Sequence, residues 1–214
     1  MFYNLPPDTT VLICNGQRLT HLPELPKTLR ALECTHNNLT SLPKLPKSLK
    51  ILKCGLNKIQ TLNNLPNLRF LECYNNSLSS LPELPPTLNS LSCGSNKLKH
   101  LPKLPASLRH LFCDENELIQ LPPLPIHLER LVCSENSLQS LPNMDDMRSL
   151  CVLSCSRNKL VSLPKLPKTL TQLSWFGNPL KSDILRMLKN KSEREQIRIL
   201  QNPIVESTVI WRIE

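Results

Sequence analysis

The sequence predicts a curved solenoid, with short parallel β-strands on its concave face and extended, proline-rich arms on its convex face. Three observations support this fold class. Eight of the nine cysteines recur at intervals of 19 to 22 residues, leucines flank them in a fixed pattern, and most of the 20 prolines fall between the resulting units. Regular repetition explains how a chain so rich in proline can also bury a leucine core.

The repeating unit contains a short strand. Residues 29–39 read LRALECTHNNL, and the same LxxLxCxxNxL pattern occurs nine times, with Trp175 in place of the last cysteine. Apolar and polar residues alternate in residues 32–34, which predicts a strand with one buried face. One repeat cannot bury its own leucine and cysteine, so stability must come from its neighbours. A repeat of this length and pattern is typical of leucine-rich repeats.

Asparagine holds the ninth motif position in eight repeats, and Gln17 holds it in the first. A buried amide both donates and accepts hydrogen bonds, so it can satisfy backbone groups where the chain leaves the strand. We therefore predict a structural role, rather than a binding role, for Asn37, Asn57, Asn76, Asn96, Asn116, Asn136, Asn158 and Asn178.

The segments between strands follow an LPxLPxxL pattern, as in residues 42–49. Proline fixes φ and lacks an N–H donor, so these segments predict extended, polyproline-like arms rather than helices. Their PxxP pairs also match ligands of SH3 domains, but we expect them to form the outer wall of the solenoid. Lysines of these arms predict a basic convex stripe that favours solubility: Lys27, Lys44, Lys47, Lys103, Lys165 and Lys168.

The chemistry-bearing residues predict neither an enzyme nor a metal site. The cysteines fill a core position, and a regular column of thiols with an odd total fits a reducing compartment better than a set of disulfides. No CxxC pair occurs, histidines are not interleaved at ligand spacing, and no catalytic motif is present. We expect no cofactor.

The two ends differ in composition. Residues 1–178 predict the solenoid of about nine repeats, and residues 179–214 predict a small, mostly helical C-terminal cap. Helix starts are expected at Ser182 and at the capping box formed by Ser192 and Glu195, with a strand or extended tail over residues 207–213. The first strand, residues 11–14, is an edge rich in β-branched residues, which makes it a candidate dimer contact.

The formal net charge of +9 raises nucleic acids, acidic proteins and anionic membranes as partners. Nucleic-acid binding is disfavoured, because the basic arms contain no interleaved aromatic residues. No apolar stretch approaches the roughly 20 residues of a membrane span. The first residues lack the features of a Sec-type signal peptide, so we expect none.

Side chains at the third, fifth, seventh and eighth motif positions are expected to project from the concave face. Phe70, Tyr74 and Phe112 stand out there, because aromatic residues dominate protein-interface hot spots. The alternative for Phe70 is a surface pair with Ile51 of the adjacent repeat. The predicted partner-binding residues are Ile51, Lys53, Phe70, Glu72, Tyr74, His110, Phe112, Asp114, Arg130, Val132, Glu135 and Arg157.

Together, the LxxLxCxxNxL and LPxLPxxL motifs resemble the LPX-type leucine-rich repeats of bacterial effectors. This family includes Yersinia outer protein M, the invasion-plasmid antigen H ligases and repeat-only effectors of Legionella. The resemblance covers roughly residues 5–180 and implies a solenoid that binds host proteins after delivery into a host cell without a Sec signal. Residues 179–214 are too short for the helical ligase domain of some relatives and contain no cysteine, so ligase activity is not expected. Several relatives also begin with a helical hairpin, which this chain does not show.

Two other functions stay open at this stage. The protein could instead be a cytoplasmic scaffold of its own cell, which the same repeat architecture would serve equally well. A basic protein that binds nucleic acid or a membrane surface is the third alternative, and a steep dependence of affinity on salt would support it.

Overall fold

The computed structural model describes residues 5–201 and confirms a solenoid with a helical C-terminal cap. Each of nine repeats contributes one three-residue strand, and two helices follow the last strand. The strands are β1 Val11–Ile13, β2 Ala31–Glu33, β3 Ile51–Lys53, β4 Phe70–Glu72, β5 Ser90–Ser92, β6 His110–Phe112, β7 Arg130–Val132, β8 Val152–Ser154 and β9 Gln172–Ser174; the helices are α1 Ser182–Leu188 and α2 Glu193–Gln201.

The nine strands form one parallel sheet in sequence order, each in register with the next. In every strand the middle residue is a buried leucine, and the residues on either side are more exposed. Parallel sheets are normally covered on both faces, whereas this one has its core on one side and an open concave surface on the other. The open surface is therefore available for binding.

A column of asparagine side chains confirms the structural role predicted for the ninth position. Asn116 is representative: its Nδ2 donates to the carbonyls of Cys93, Cys113 and Asp114 at 3.0–3.3 Å. Its Oδ1 accepts the backbone N–H of Leu98 at 3.0 Å. Each asparagine thus joins the turn of its own repeat to the repeat before it, where the backbone would otherwise lack partners.

The residue before each asparagine of the seven interior repeats has a left-handed backbone conformation without being glycine. This eighth position has φ of 50–57° in His36, Leu56, Asn75, Ser95, Glu115, Glu135 and Arg157. Left-handed φ is unfavourable for most L-residues, and the first and last repeats instead have Gly16 and Gly177 there. The asparagine hydrogen bonds on the following residue hold this turn in place.

All nine cysteines are free thiols in the structure. Eight are buried behind the strands, and Cys151 is half-buried, with its Sγ donating to the Glu129 carbonyl at 3.2 Å. Burial raises the pKa of the Cys54, Cys93 and Cys155 thiols to about 12. The buried column therefore stays protonated well above neutral pH and behaves as part of the apolar core.

The convex arms are extended, as predicted, and a set of hydroxyl groups joins them. Ser48 Oγ donates to the carbonyls of Lys27 and Leu29 at 2.7 and 2.6 Å. Ser or Thr makes similar bonds in other repeats, including Thr87, Ser107 and Thr169. These bonds link each arm to its neighbour, because prolines supply no N–H for a regular backbone ladder there.

The C-terminal helices close the last repeat. The Leu173 N–H, which faces away from β8, donates to Oε1 of Glu193 at 2.7 Å. Trp175 Nε1 donates to Oε1 of Gln196 at 2.9 Å. The predicted helix starts are confirmed: α1 begins at Ser182, and Glu195 bonds to the N–H and hydroxyl of Ser192 before α2. The tail predicted over 207–213 lies outside the described residues.

The Glu193→Ala substitution is expected to lower the free energy of unfolding by about 2 kcal/mol, because it leaves the Leu173 N–H without its acceptor. Urea denaturation followed by circular dichroism measures the loss, and hydrogen exchange of the Leu173 amide shows whether it is local. Glu117→Ala removes an exposed carboxylate that makes no side-chain bond within the described part of the chain, and it should have almost no effect. Equal losses in the two variants would contradict this role of Glu193.

Candidate protein-binding surface

The third and fifth positions of each strand face away from the core, and the seventh and eighth positions follow at the carboxyl ends of the strands. The structure places the predicted residues of this surface in two clusters. The first lies on β3 and β4, and the second lies on β6, β7 and the turn after β8. Strand β5, with Ser90 and Ser92, separates them, so strands β4 and β6 lie about 10 Å apart across the sheet.

The first cluster brings an apolar pair beside an ion pair. Ile51 and Phe70 are direct neighbours in register, and Phe70 keeps 41% of its surface exposed despite that contact. Lys53 Nζ lies 3.1 Å from Glu33 Oε1, and the hydrogen bond to Glu33 raises the pKa of Lys53. The surface pair with Ile51 therefore covers only part of the Phe70 ring.

Tyr74 of the first cluster depends on the absence of a side chain in the preceding repeat. A Cβ atom built on Gly55 would lie 2.7 Å from the Tyr74 ring. The glycine thus lets the ring lie flat over the strand end, which leaves Tyr74 half-buried. Glu72 is also partly exposed, at the end of the same strand pair, where it is in register with Lys53.

The second cluster mixes aromatic, apolar and charged groups. Phe112 is in register with Val132, and His110 is in register with Arg130. His110 Nε2 lies 4.0 Å from Glu129, whereas its Nδ1 is buried and makes no hydrogen bond within residues 5–201. These neighbours place both cationic and apolar side chains on adjacent strands.

Acidic residues border the second cluster. Burial raises the pKa of Asp114, and the nearby Glu115 and Glu135 add to this increase. Glu135 also accepts a 2.9 Å bond from Arg157. The carboxylates therefore make the end of strands β6 and β7 locally negative, which disfavours a phosphate-bearing ligand there.

Sequence reasoning missed Phe176, which follows β9 at the seventh motif position. Phe176 was not among the predicted partner-binding residues, although 58% of its surface is exposed. The Arg157 guanidinium lies 5.9 Å from its ring centroid, within the range of a cation–π contact. The seventh motif position could have predicted this exposure, because Tyr74 and Asp114 were assigned to the concave face from the same position.

Comparison with solved structures identifies the family of the chain. Its fold is similar to YopM from Yersinia enterocolitica, with a TM-score of 0.82 and 37% identity over 84% of this chain and 40% of that chain. The leucine-rich-repeat domain of a Shigella effector matches with a TM-score of 0.58 and 30% identity, over 85% of this chain and 74% of that one. The chain belongs to the family of bacterial leucine-rich-repeat effector proteins.

A third solved structure is also similar to this chain. The functional domain of InlJ from Listeria monocytogenes, described as including a cysteine ladder, matches with a TM-score of 0.67 and 26% identity. That match covers 84% of this chain and 47% of InlJ, so the chain spans about half or less of the YopM and InlJ chains. No model of a protein family and no curated protein matches it.

Family membership supports a role for this chain as a protein-interaction module. Neither helix within residues 5–201 has the length and apolarity to cross a bilayer. The described residues also contain no group of three or more His, Cys, Asp or Glu side chains placed to hold a metal ion.

Proposed function

We propose that this protein is a secreted effector that binds a host protein through its concave face and has no catalytic activity of its own. The observation that carries the proposal is the exposure of large apolar side chains on the open sheet, and within the two clusters Phe70 is 41% exposed. Aromatic residues in that position lose water contact only when a partner covers them. The contact residues we propose are those of the two clusters.

The proposal extends to the division of the chain. Residues 1–178 bind the partner, and residues 179–214 act as a cap without a separate activity. The hydrogen bonds from the last repeat to Glu193 and Gln196 support this division, since they use polar groups of the cap to satisfy the solenoid.

The double substitution Phe70→Asp/Phe112→Asp is expected to reduce capture of the partner from host-cell lysate by at least tenfold, because two carboxylates replace the apolar contact. Quantitative mass spectrometry of paired pull-downs measures the change. Ile119→Asp/Ile126→Asp is the matched control, since it places the same two charges at apolar residues that lie outside the strands and are 50% and 49% exposed. Circular dichroism must show that all three proteins are folded.

Persistence of the captured protein in the double variant would contradict binding at the concave face. The convex surface would then be the next place to test. An apolar groove of this surface lies where one repeat is a residue shorter, and Leu42, Leu45 and Leu65 line it.

Delivery into the host separates this proposal from a scaffold of the bacterial cell itself. A translocation reporter fused to the protein should give a signal inside host cells during infection. The family resemblance supports this result, whereas a signal confined to the bacteria would favour the cytoplasmic scaffold.

The first strand is a proposed contact between two copies of the chain. Strand β1 is the outer strand of the sheet over the described residues, and Val11 and Ile13 are 53% and 61% exposed on it. An open edge of β-branched residues favours pairing with another strand. Sedimentation velocity should show a dimer that Ile13→Lys dissociates, while a monomer at all concentrations would refute the contact.

A further inference from the structure

The second motif position forms a basic column along one border of the concave face. Backbone hydrogen bonds of 2.8 Å connect Arg30 to Lys50 and Lys50 to Arg69, so these residues occupy consecutive rungs of the sheet. Neighbouring rungs lie about 4.8 Å apart. Three positive side chains thus stand in a row at a regular spacing.

These three cations have no acidic partner within the protein. The described residues contain no carboxylate within 4.0 Å of Arg30, Lys50 or Arg69. Arg109, two rungs beyond Arg69, does approach the carboxylate of Glu129. Within this column, the positive side chains without an acidic partner are therefore those of repeats two to four, where Arg30 and Arg69 are exposed.

An apolar column runs directly beside the basic one. The third motif position of the same strands holds Ala31, Ile51 and Phe70, which are neighbours in register. The fifth position then carries Glu33, Lys53 and Glu72. A phosphate polymer would be repelled by the carboxylates of Glu33 and Glu72 on this face. A protein surface with an acidic stripe beside an apolar stripe would instead match the basic column and the apolar column.

We propose that repeats two to four bind an amphipathic helix of the partner protein, with its acidic residues on Arg30, Lys50 and Arg69 and its apolar residues on Ile51 and Phe70. This inference rests on the proposed concave-face function. The spacing selects a helix: residues at i, i+4 and i+7 recur about every 5.4 Å, close to the 4.8 Å rung spacing. Alternate residues of a strand recur at about 6.6 Å, which fits less well.

The mismatch between helix and sheet is small over the length of the column. Two intervals accumulate about 1.2 Å, which long, flexible arginine and lysine side chains can absorb. Arginine also pairs with carboxylates in a bidentate geometry, which favours an acidic protein side chain at the outer rungs.

The test uses a displayed library of helical peptides, selected on the intact protein and on the variant Arg30→Glu/Lys50→Glu/Arg69→Glu. Peptides that bind the wild type should carry Asp or Glu at i, i+4 and i+7 beside apolar residues. The variant should instead select Lys or Arg at those positions. A synthetic peptide from the wild-type selection should lose at least tenfold in affinity on the variant.

The matched control reverses three exposed charges on the convex arms, Lys44→Glu/Lys103→Glu/Lys165→Glu, and should leave peptide affinity unchanged. It changes the net charge equally, so an equal loss in both variants would overturn the inference. Peptides without an acidic preference, or no enriched peptides, would also overturn it. The same holds if a 20-nucleotide RNA binds the column as tightly as the peptides do.

A Phe70→Asp variant separates the two hypotheses. If the peptides bind independently of the basic column but are lost with Phe70→Asp, the helix-charge inference fails and the concave-face function survives. If neither change affects them, both hypotheses fail.

Discussion

The free energy of unfolding is expected to fall steeply as the pH rises from 9 towards 12. Burial raises the pKa of Cys54, Cys93 and Cys155 from an ordinary value of 9.0 to about 12, and it raises the pKa of Cys73 and Cys113 well above that ordinary value. Above pH 9 the unfolded chain loses these protons while the folded chain keeps them. The unfolded state then binds fewer protons, so its stability relative to the folded state increases with pH.

Each such thiol lowers the free energy of unfolding by about 1.4 kcal/mol per pH unit in this window. Urea denaturation at a series of pH values measures the slope. Cys93→Ala should make the slope shallower by one proton. Leu91→Ala is the control, because it also shortens a buried side chain of β5 but removes no titrating group. A pH-independent stability up to pH 11 would contradict the prediction.

Asn158→Asp is expected to lower the free energy of unfolding by about 4 kcal/mol, among the largest effects of a single substitution. Asn158 is 6% exposed, and its Nδ2 donates to the carbonyls of Cys133, Cys155 and Ser156 at 2.9–3.2 Å. A carboxylate cannot donate, so it would place a buried charge against three carbonyl oxygens.

Asn75→Asp provides the matched control for this prediction. Asn75 is exposed, and its side chain makes no hydrogen bond within the described residues. Both Asn and Asp tolerate its left-handed φ of 51°, so we expect a change below about 0.5 kcal/mol. Urea denaturation measures the free energy of unfolding of the two variants. Similar losses would contradict the stabilising role of the hydrogen bonds made by Asn158.

The periodic features of the fold could be predicted from sequence because each position repeats nine times. The strand at Leu32, the asparagine column and the buried thiols were all correct, since one physical reason explains each column. The arm hydroxyls were not predicted: Ser48 and Thr87 occupy a position that varies between Ser, Thr, Asn and His. Their hydrogen bonds depend on how closely neighbouring arms approach, which the pattern alone does not specify.

The sequence indicated which residues lie on the candidate surface, but it did not indicate which contacts they make there. Alternation along each strand indicated that Phe70 and Phe112 face away from the core. It could not indicate that Tyr74 lies over Gly55, or that Glu33 is the partner of Lys53, because both contacts join residues about 20 positions apart. Phe176 and Arg30 were overlooked because the first lies in the last repeat, next to the predicted cap, and the second precedes the strand.

The left-handed eighth position can change its side chain with little effect on the stability of the scaffold. His36, Leu56, Ser95 and Glu115 share nearly the same φ although their side chains differ in charge, size and polarity. The neighbouring amide sets the conformation, so each residue there carries a similar backbone cost and diverges without disturbing its repeat. New recognition specificities can therefore arise one rung at a time, while the underlying framework stays constant.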